Sequence, residues 1–286
     1  PYQYQLISEG DSKTFPQMDL DAWPDLKLSQ YKVQAEGIDK PIAELIVAQQ
    51  GDGPRVLTYW KNSTNEILYN LDRKPSELSA LAAVIGKHAP KDALILSWWD
   101  TSRQIKLLTG HDTLFTSHLN EPLMVPVAWL EQSKAIMAYE NQFWESSANS
   151  KEQEQFKRFS QALAASAEEG VAQLRELIGS NREAYLIVHV TDLYKLGLMY
   201  PDKIGVAYQN FPLTGNMHGM INHMKVQLKE NDFNTYTLQS LSDEEIRVFF
   251  LSDEASSQTL LARMLPFVDK EAPLDWEPSQ LSYQHG

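Results

Sequence analysis

Apolar and polar positions along this chain follow two periods, and the places where one gives way to the other set the expected elements. Two nearly uninterrupted apolar runs, 93–96 and 185–190, have the pattern of strands covered on both faces in a parallel sheet. Shorter strand-like stretches at 43–48, 55–60 and 66–71 are separated by Gly51-Asp52-Gly53-Pro54 and Asn62-Ser63-Thr64-Asn65, strong turn signals that predict a small β-meander. Helical spacing begins after Ser76, with Leu78, Leu81, Ala82 and Ile85 on one stripe. It returns in a short helix over 103–110 that stops at Gly110, and in a helix over 133–144. The strongest helical stretch is 151–178, where Phe156, Phe159, Leu163, Ala167, Leu174 and Leu177 recur and Gly170 marks a break. Further on, the pattern predicts an extended segment at 204–208 and a helix over 215–230 with Met217, Met220, Ile221, Met224 and Leu228 on its apolar stripe. An antiparallel pair at 233–238 and 246–251 and a last helix at 254–265 complete the order. Residues 1–40 are polar and rich in turn signals and predict an irregular or short-stranded segment; 112–117 predicts a short strand, and Pro273, Trp276 and Pro278 an irregular tail.

This order predicts an α/β protein with a mostly parallel central sheet flanked by helices, and a small β-rich extension at its N-terminus. The expected division is 1–75 for the extension and 76–286 for the α/β domain. Composition narrows the function classes. A net charge of −13 opposes binding to nucleic-acid backbones and anionic lipid, and favours basic partners. Zero cysteines remove disulfides, thiolate metal sites and a cysteine nucleophile, and permit an oxidising compartment. No apolar run approaches the roughly 18 residues of a membrane span, so membrane contact is expected only through an anchor outside this chain, which starts at Pro1 without Met or signal peptide.

Candidate chemistry gathers where the two apolar runs end. The first passes into Ser97-Trp98-Trp99-Asp100 and then a helix; the second passes into Thr191-Asp192 with Lys195 one helical turn on. Ligands of open α/β sheets bind at the carboxyl ends of strands, which predicts a crevice lined by Trp98, Trp99, Asp100, Asp192 and Lys195. The plainer reading is two core tryptophans beside a helix cap, and an Asp192–Lys195 intrahelical pair contributing a few tenths of a kcal/mol. Met217-His218-x-Met220-x-x-His223-Met224 has thioether and imidazole groups suited to Cu(I), but His218 and His223 diverge around the helix while the methionines follow its apolar stripe. His111 and His118 flank a predicted strand and read as loop histidines before metal ligands. There is no Gly-x-Ser-x-Gly elbow, no Gly-rich phosphate loop and no Cys-x-x-Cys-His, so no catalytic residue, metal or cofactor is assigned.

Two resemblances add to this reading. Leu96-Ser97-Trp98-Trp99-Asp100 followed by Gln104-Ile105 resembles the WWDYG signature of the oligosaccharyltransferase catalytic subunit, with Thr101 and Ser102 in place of its Tyr and Gly. Asp192, Lys195 and Met199 stand at the three positions of that family's second signature, which implies that Met199 joins the crevice and that the domain recognises a peptide. Residues 94–121, 189–199 and Thr214-Gly215-Asn216-Met217-His218-Gly219 resemble the HaoB family of hydroxylamine oxidation proteins of ammonia-oxidising bacteria, over most of the chain. That resemblance implies a non-catalytic accessory protein of hydroxylamine oxidation, facing the periplasm and tethered to the inner membrane by an N-terminal segment. Its expected partner is a polypeptide segment or protein such as the multihaem hydroxylamine oxidoreductase or a c-type cytochrome. A copper carrier or enzyme using the His/Met cluster, and an oligosaccharyltransferase-like peptide-recognition domain, are the alternatives.

Overall fold

A computed structural model describes residues 2–63, 73–119, 127–146, 149–179, 182–213, 217–233 and 235–269. The strand expected at 66–71, the Thr214-Gly215-Asn216 motif and the tail with Pro273, Trp276 and Pro278 lie outside the described residues. The chain divides into two compact units, one of residues 1–153 and 182–186, the other of residues 154–181 and 187–286.

The first unit is built on a four-stranded antiparallel meander in the order β1 (Tyr2–Gly10), β2 (Leu26–Ala35), β3 (Ala43–Gln50), β4 (Val56–Asn62). Residues expected to be irregular or short-stranded therefore supply two long strands. Tyr2-Gln3-Tyr4-Gln5 already alternates with period two, the signature of a strand buried on one side. The sheet has apolar cover on both faces. Leu26, Leu28, Ile46 and Ala48 pack with Phe15, Met18 and Leu20 and with Leu78 and Ala82 of α1 (Pro75–His88). Val33, Ala43, Leu45 and Val47 face Trp144 and Phe143 beside α3 (Ser133–Phe143). Among the described residues β4 ends the sheet, and α2 (Trp99–Thr109) lies along it: Gln104 Nε2 donates to Leu57 O at 2.8 Å and Arg103 Nη2 to Arg55 O at 2.8 Å. These side chains satisfy carbonyls that an unpaired edge would leave to water or to another strand.

A mostly parallel central sheet, expected from the apolar runs, is not what the chain builds. Among the described residues the parallel sheet has three strands, β5 (Leu94–Leu96) between β6 (Asp112–Thr113) and β7 (Ala184–Leu186), all in the first unit, whereas the two four-stranded sheets are antiparallel. A continuous apolar run reports burial on two faces and says nothing of how many strands share the sheet. Here each run leaves the ladder after three residues, because Ser97-Trp98 turns into α2 and 187–190 leads to α6 (Thr191–Met199).

In the second unit, β8 (Val206–Pro212), β9 (Thr235–Ser240), β10 (Glu245–Leu251) and β11 (Val268–Asp269) form an antiparallel sheet ordered β11-β9-β10-β8. Ile221, Met224 and Leu228 of α7 (Met217–Glu230) pack on Phe211, Tyr236, Ile246, Val248 and Phe250, so this part of the methionine stripe is core. The predicted helix over 151–178 is two helices, α4 (Ser150–Ala164) and α5 (Ala167–Ile178). Their break lies at Ala165-Ser166 and not at Gly170. Leu260 N donates to Ala165 O at 2.8 Å, Ser166 bridges to Thr259, and the Ser166 hydroxyl accepts from Glu169 N. Gly170 sits inside α5 where a Cβ would stand 2.3 Å from Ala162 O and 2.9 Å from Leu260 Cδ2, so its lack of a side chain permits close helix packing. The last predicted helix is likewise two short ones, α8 (Glu254–Ser257) and α9 (Leu260–Met264), separated at Thr259. Among the described residues no helix is long and apolar enough to cross a membrane.

Candidate functional site

The end of β5 is converted into a helix start by a compact set of polar contacts. Ser97 and Ser102 hydroxyls lie 2.7 Å apart, Ser102 Oγ donates to Ser97 O at 3.1 Å, and Ser102 N donates to Trp98 O at 2.8 Å. Trp98 takes the N-cap position and is 1% exposed; Trp99 opens α2 and is 9% exposed, so both tryptophans are buried. Asp100 is partly exposed in the first turn, where a carboxylate is favoured by the helix dipole, and its Oδ1 accepts from Thr101 N at 2.6 Å. Thr101 Oγ1 in turn accepts from Arg73 Nη1 at 3.0 Å.

Beneath this turn is a buried cation that sequence reasoning missed. Arg103 is 5% exposed and spends its planar fork on three acceptors: Nε donates to Thr116 O at 3.2 Å, Nη2 to Arg55 O, and Nη1 to His118 Nδ1 at 3.2 Å. Because a guanidinium can only donate, Nδ1 of His118 is an acceptor and the ring proton of the neutral imidazole sits on Nε2. The ring is held between two tryptophans, stacked on Trp144 at 4.6 Å and 12°, and edge-on to Trp99 at 4.7 Å. Burial, then the Arg103 charge, pushes His118 down to about 3, against the opposing pull of Asp100. Burial also lowers Arg103 to about 10, which leaves it charged at neutral pH, supported by Glu152 and Asp100. Glu152, another residue with no sequence signal, caps the loop after β6 by accepting from Thr116 N, Thr116 Oγ1 and Ser117 N at 3.3, 2.8 and 2.8 Å.

The second junction lies in the second unit and has its own chemistry. Asp192 is 2% exposed; Oδ2 accepts from His189 N at 2.8 Å and Oδ1 stands 3.9 Å from Lys195 Nζ, on a side chain only 11% exposed. His189 Nδ1 accepts from Thr191 N at 3.2 Å and lies 2.8 Å from Thr191 Oγ1, which fixes its neutral tautomer with the proton on Nε2. Met199 is the last residue of α6 and half-buried. The six predicted residues thus fall as Trp98, Trp99 and Asp100 in one unit and Asp192, Lys195 and Met199 in the other. Asp192–Lys195 is a buried pair rather than a solvated one. On β10, Arg247 is a further buried cation, 1% exposed, with Nε donating to Asn210 Oδ1 at 2.9 Å and the guanidinium 4.8 Å from the Tyr208 ring.

Of the histidines weighed as metal ligands, His111 hydrogen-bonds the Pro90 carbonyl through Nε2 at 3.1 Å, and His223 packs edge-on to Phe211. The side chain of His218 lies outside the described residues. Among the described residues no three His, Asp or Glu side chains are grouped to hold a metal ion.

A sequence profile for a family described as HaoA-associated protein HaoB matches residues 1–286. The chain belongs to the HaoB family. Membership gives it a protein partner, HaoA, and an accessory place in hydroxylamine oxidation. No curated protein matches the chain, and no solved structure does. The likeness to the oligosaccharyltransferase soluble domain therefore rests on the two short motifs alone, one in each unit of this HaoB-family fold.

Proposed function

We propose that the chain is a non-catalytic accessory protein that binds HaoA, or a polypeptide segment of it, on the face where β5 and β6 run into Trp98-Trp99-Asp100 and residues 114–118. The observation that carries this reading is membership, over all 286 residues, of a family described by its association with HaoA. The geometry supports the choice of face. Asp100 and His118 reach the surface from a base of buried side chains, Trp98, Ser97, Ser102 and Arg103, whose hydrogen bonds fix them before a partner arrives. Preorganisation of this kind lowers the entropy lost on binding. A partly exposed carboxylate, on a chain of net charge −13, suits a basic polypeptide. The absence of cysteine and the family resemblance support the periplasm as the place of assembly, which release of the chain by osmotic shock would test.

Immobilised HaoA should capture the unaltered chain and retain clearly less of Asp100→Ala and Trp99→Ala, each checked for folding by circular dichroism. Capture undiminished in both variants would overturn the assignment of the face. Lys195→Met, tested in parallel, should leave capture unchanged, because Lys195 is committed to Asp192 inside the second unit.

A further inference from the structure

Behind Trp144, on which His118 stacks, the start of β1 and helix α3 enclose an arrangement that the docking reading does not use. Glu140 is 9% exposed and lies among aromatic rings. Its Oε1 accepts the phenols of Tyr2 and Tyr4, the latter at 2.7 Å, and its Oε2 accepts Trp144 Nε1 at 2.7 Å. All three donors are neutral, and among the described residues Glu140 has no ion-pair partner. Its two oxygens are thus held by neutral donors in place of a cation.

Next to it is a recess of about 200 Å³ lined by Tyr2, Gln3, Ile136 and Tyr139. The rings of Tyr2 and Tyr139 pack edge to face at 87° with centroids 6.0 Å apart beside the recess, and Trp129 stacks on Tyr2 at 5.5 Å. Tyr139 is anchored through its hydroxyl, which accepts from Tyr4 N at 2.7 Å. A phenol that donates to a carboxylate becomes more electron-rich, which strengthens the negative potential on its ring face. Tyrosine rings lining a small recess beside a buried carboxyl group suit an ammonium group, which is drawn to aromatic faces. The recess is smaller than the roughly 300–1,000 Å³ of sites for drug-sized ligands, so it fits a head group and not a large molecule.

We propose that this recess binds a small organic ammonium, such as a methylated amine or a lysine head, against Tyr2 and Tyr139 with the Glu140 charge behind them. The ammonium could be free or carried on a polypeptide. The choice between these sources is experimental: tetramethylammonium probes the free ion, and Nα-acetyl-lysine methylamide the presented one.

Titration of the full chain, followed by tryptophan and tyrosine fluorescence or by calorimetry, should show saturable binding of at least one of the two. Whichever binds more tightly identifies the source. The neutral isostere tert-butyl alcohol should bind at least about tenfold more weakly. Tyr139→Leu should lose about tenfold in affinity and Tyr139→Phe, which keeps the ring, should stay close to the unaltered chain. Glu140→Gln keeps the shape and removes the charge, and should weaken binding. The proposal is overturned by no saturable response to either cation, by equal binding of the alcohol, or by Tyr139→Leu binding as tightly as the unaltered chain.

Discussion

Arg103 joins three separate stretches of the first unit. Its guanidinium ties the middle of α2 to the loop after β6 through Thr116, to the residue before β4 through Arg55, and to the His118 ring. Truncation to Ala would strand those acceptors, at a cost of about 2–4 kcal/mol in urea unfolding followed by tryptophan fluorescence. His118 adds a pH signature. Its folded pKa, about 3, lies below the 6.5 of the unfolded chain, so the unfolded state takes up the proton first as pH falls. The stabilisation is complete above about pH 6.5 and is lost as pH drops from there toward 3. In His118→Phe, which keeps a stacked ring, the fall in stability between pH 7 and pH 4.5 should be shallower than in the unaltered chain. An unchanged slope would mean that the ring is protonated at its ordinary pH in the fold. None of this was legible beforehand. An arginine in a short amphipathic helix reads as solvated, and His118 reads as a loop residue, because the partners of Arg103 lie 13 to 48 positions away along the chain. Trp98, Trp99 and Asp100 were legible as a strand-to-helix junction, since an apolar run followed by a capping carboxylate is a local pattern.

At the scale of elements, local signals mark most helices, the antiparallel pair β9–β10 and the strands β3 and β4, but not the proportion of parallel to antiparallel sheet. Leu78, Ala82 and Ile85 mark α1 because the 3.6-residue period is written in the sequence itself. The break between α4 and α5 is not, since it depends on Thr259 and Leu260 taking up the freed backbone groups. Gly170 looked like the break because glycine weakens helices, yet its role is steric. Gly170→Ala would press a methyl into Ala162 O and Leu260, and is expected to destabilise the second unit by about 1–3 kcal/mol, measured by thermal unfolding. If the variant instead gained stability, as alanine does in an open helix, the close approach would be refuted. For the sheets, the error has one source. Long, half-polar strands such as β1 carry more ladder than the short apolar β5 and β7, and apolar content was the wrong measure of how much sheet a segment builds.

At the scale of the whole molecule, the two halves of the predicted crevice belong to separate compact units, and each junction has its own internal chemistry. Identity reaches further than geometry here, because the HaoB-family match spans residues 1–286 while the motifs first noticed are each a few residues long. A net charge of −13 gives a second expectation for the complex. If a basic patch on HaoA meets this surface, the association rate should fall by about tenfold or more between low and physiological salt, measured by biolayer interferometry. A rate indifferent to salt would point to an apolar contact instead. The most direct test of the account is hydrogen exchange of the chain with and without HaoA. It predicts slowed exchange at the amides of 98–102 and 114–118. Slowing confined to other segments, with these amides unchanged, would contradict it.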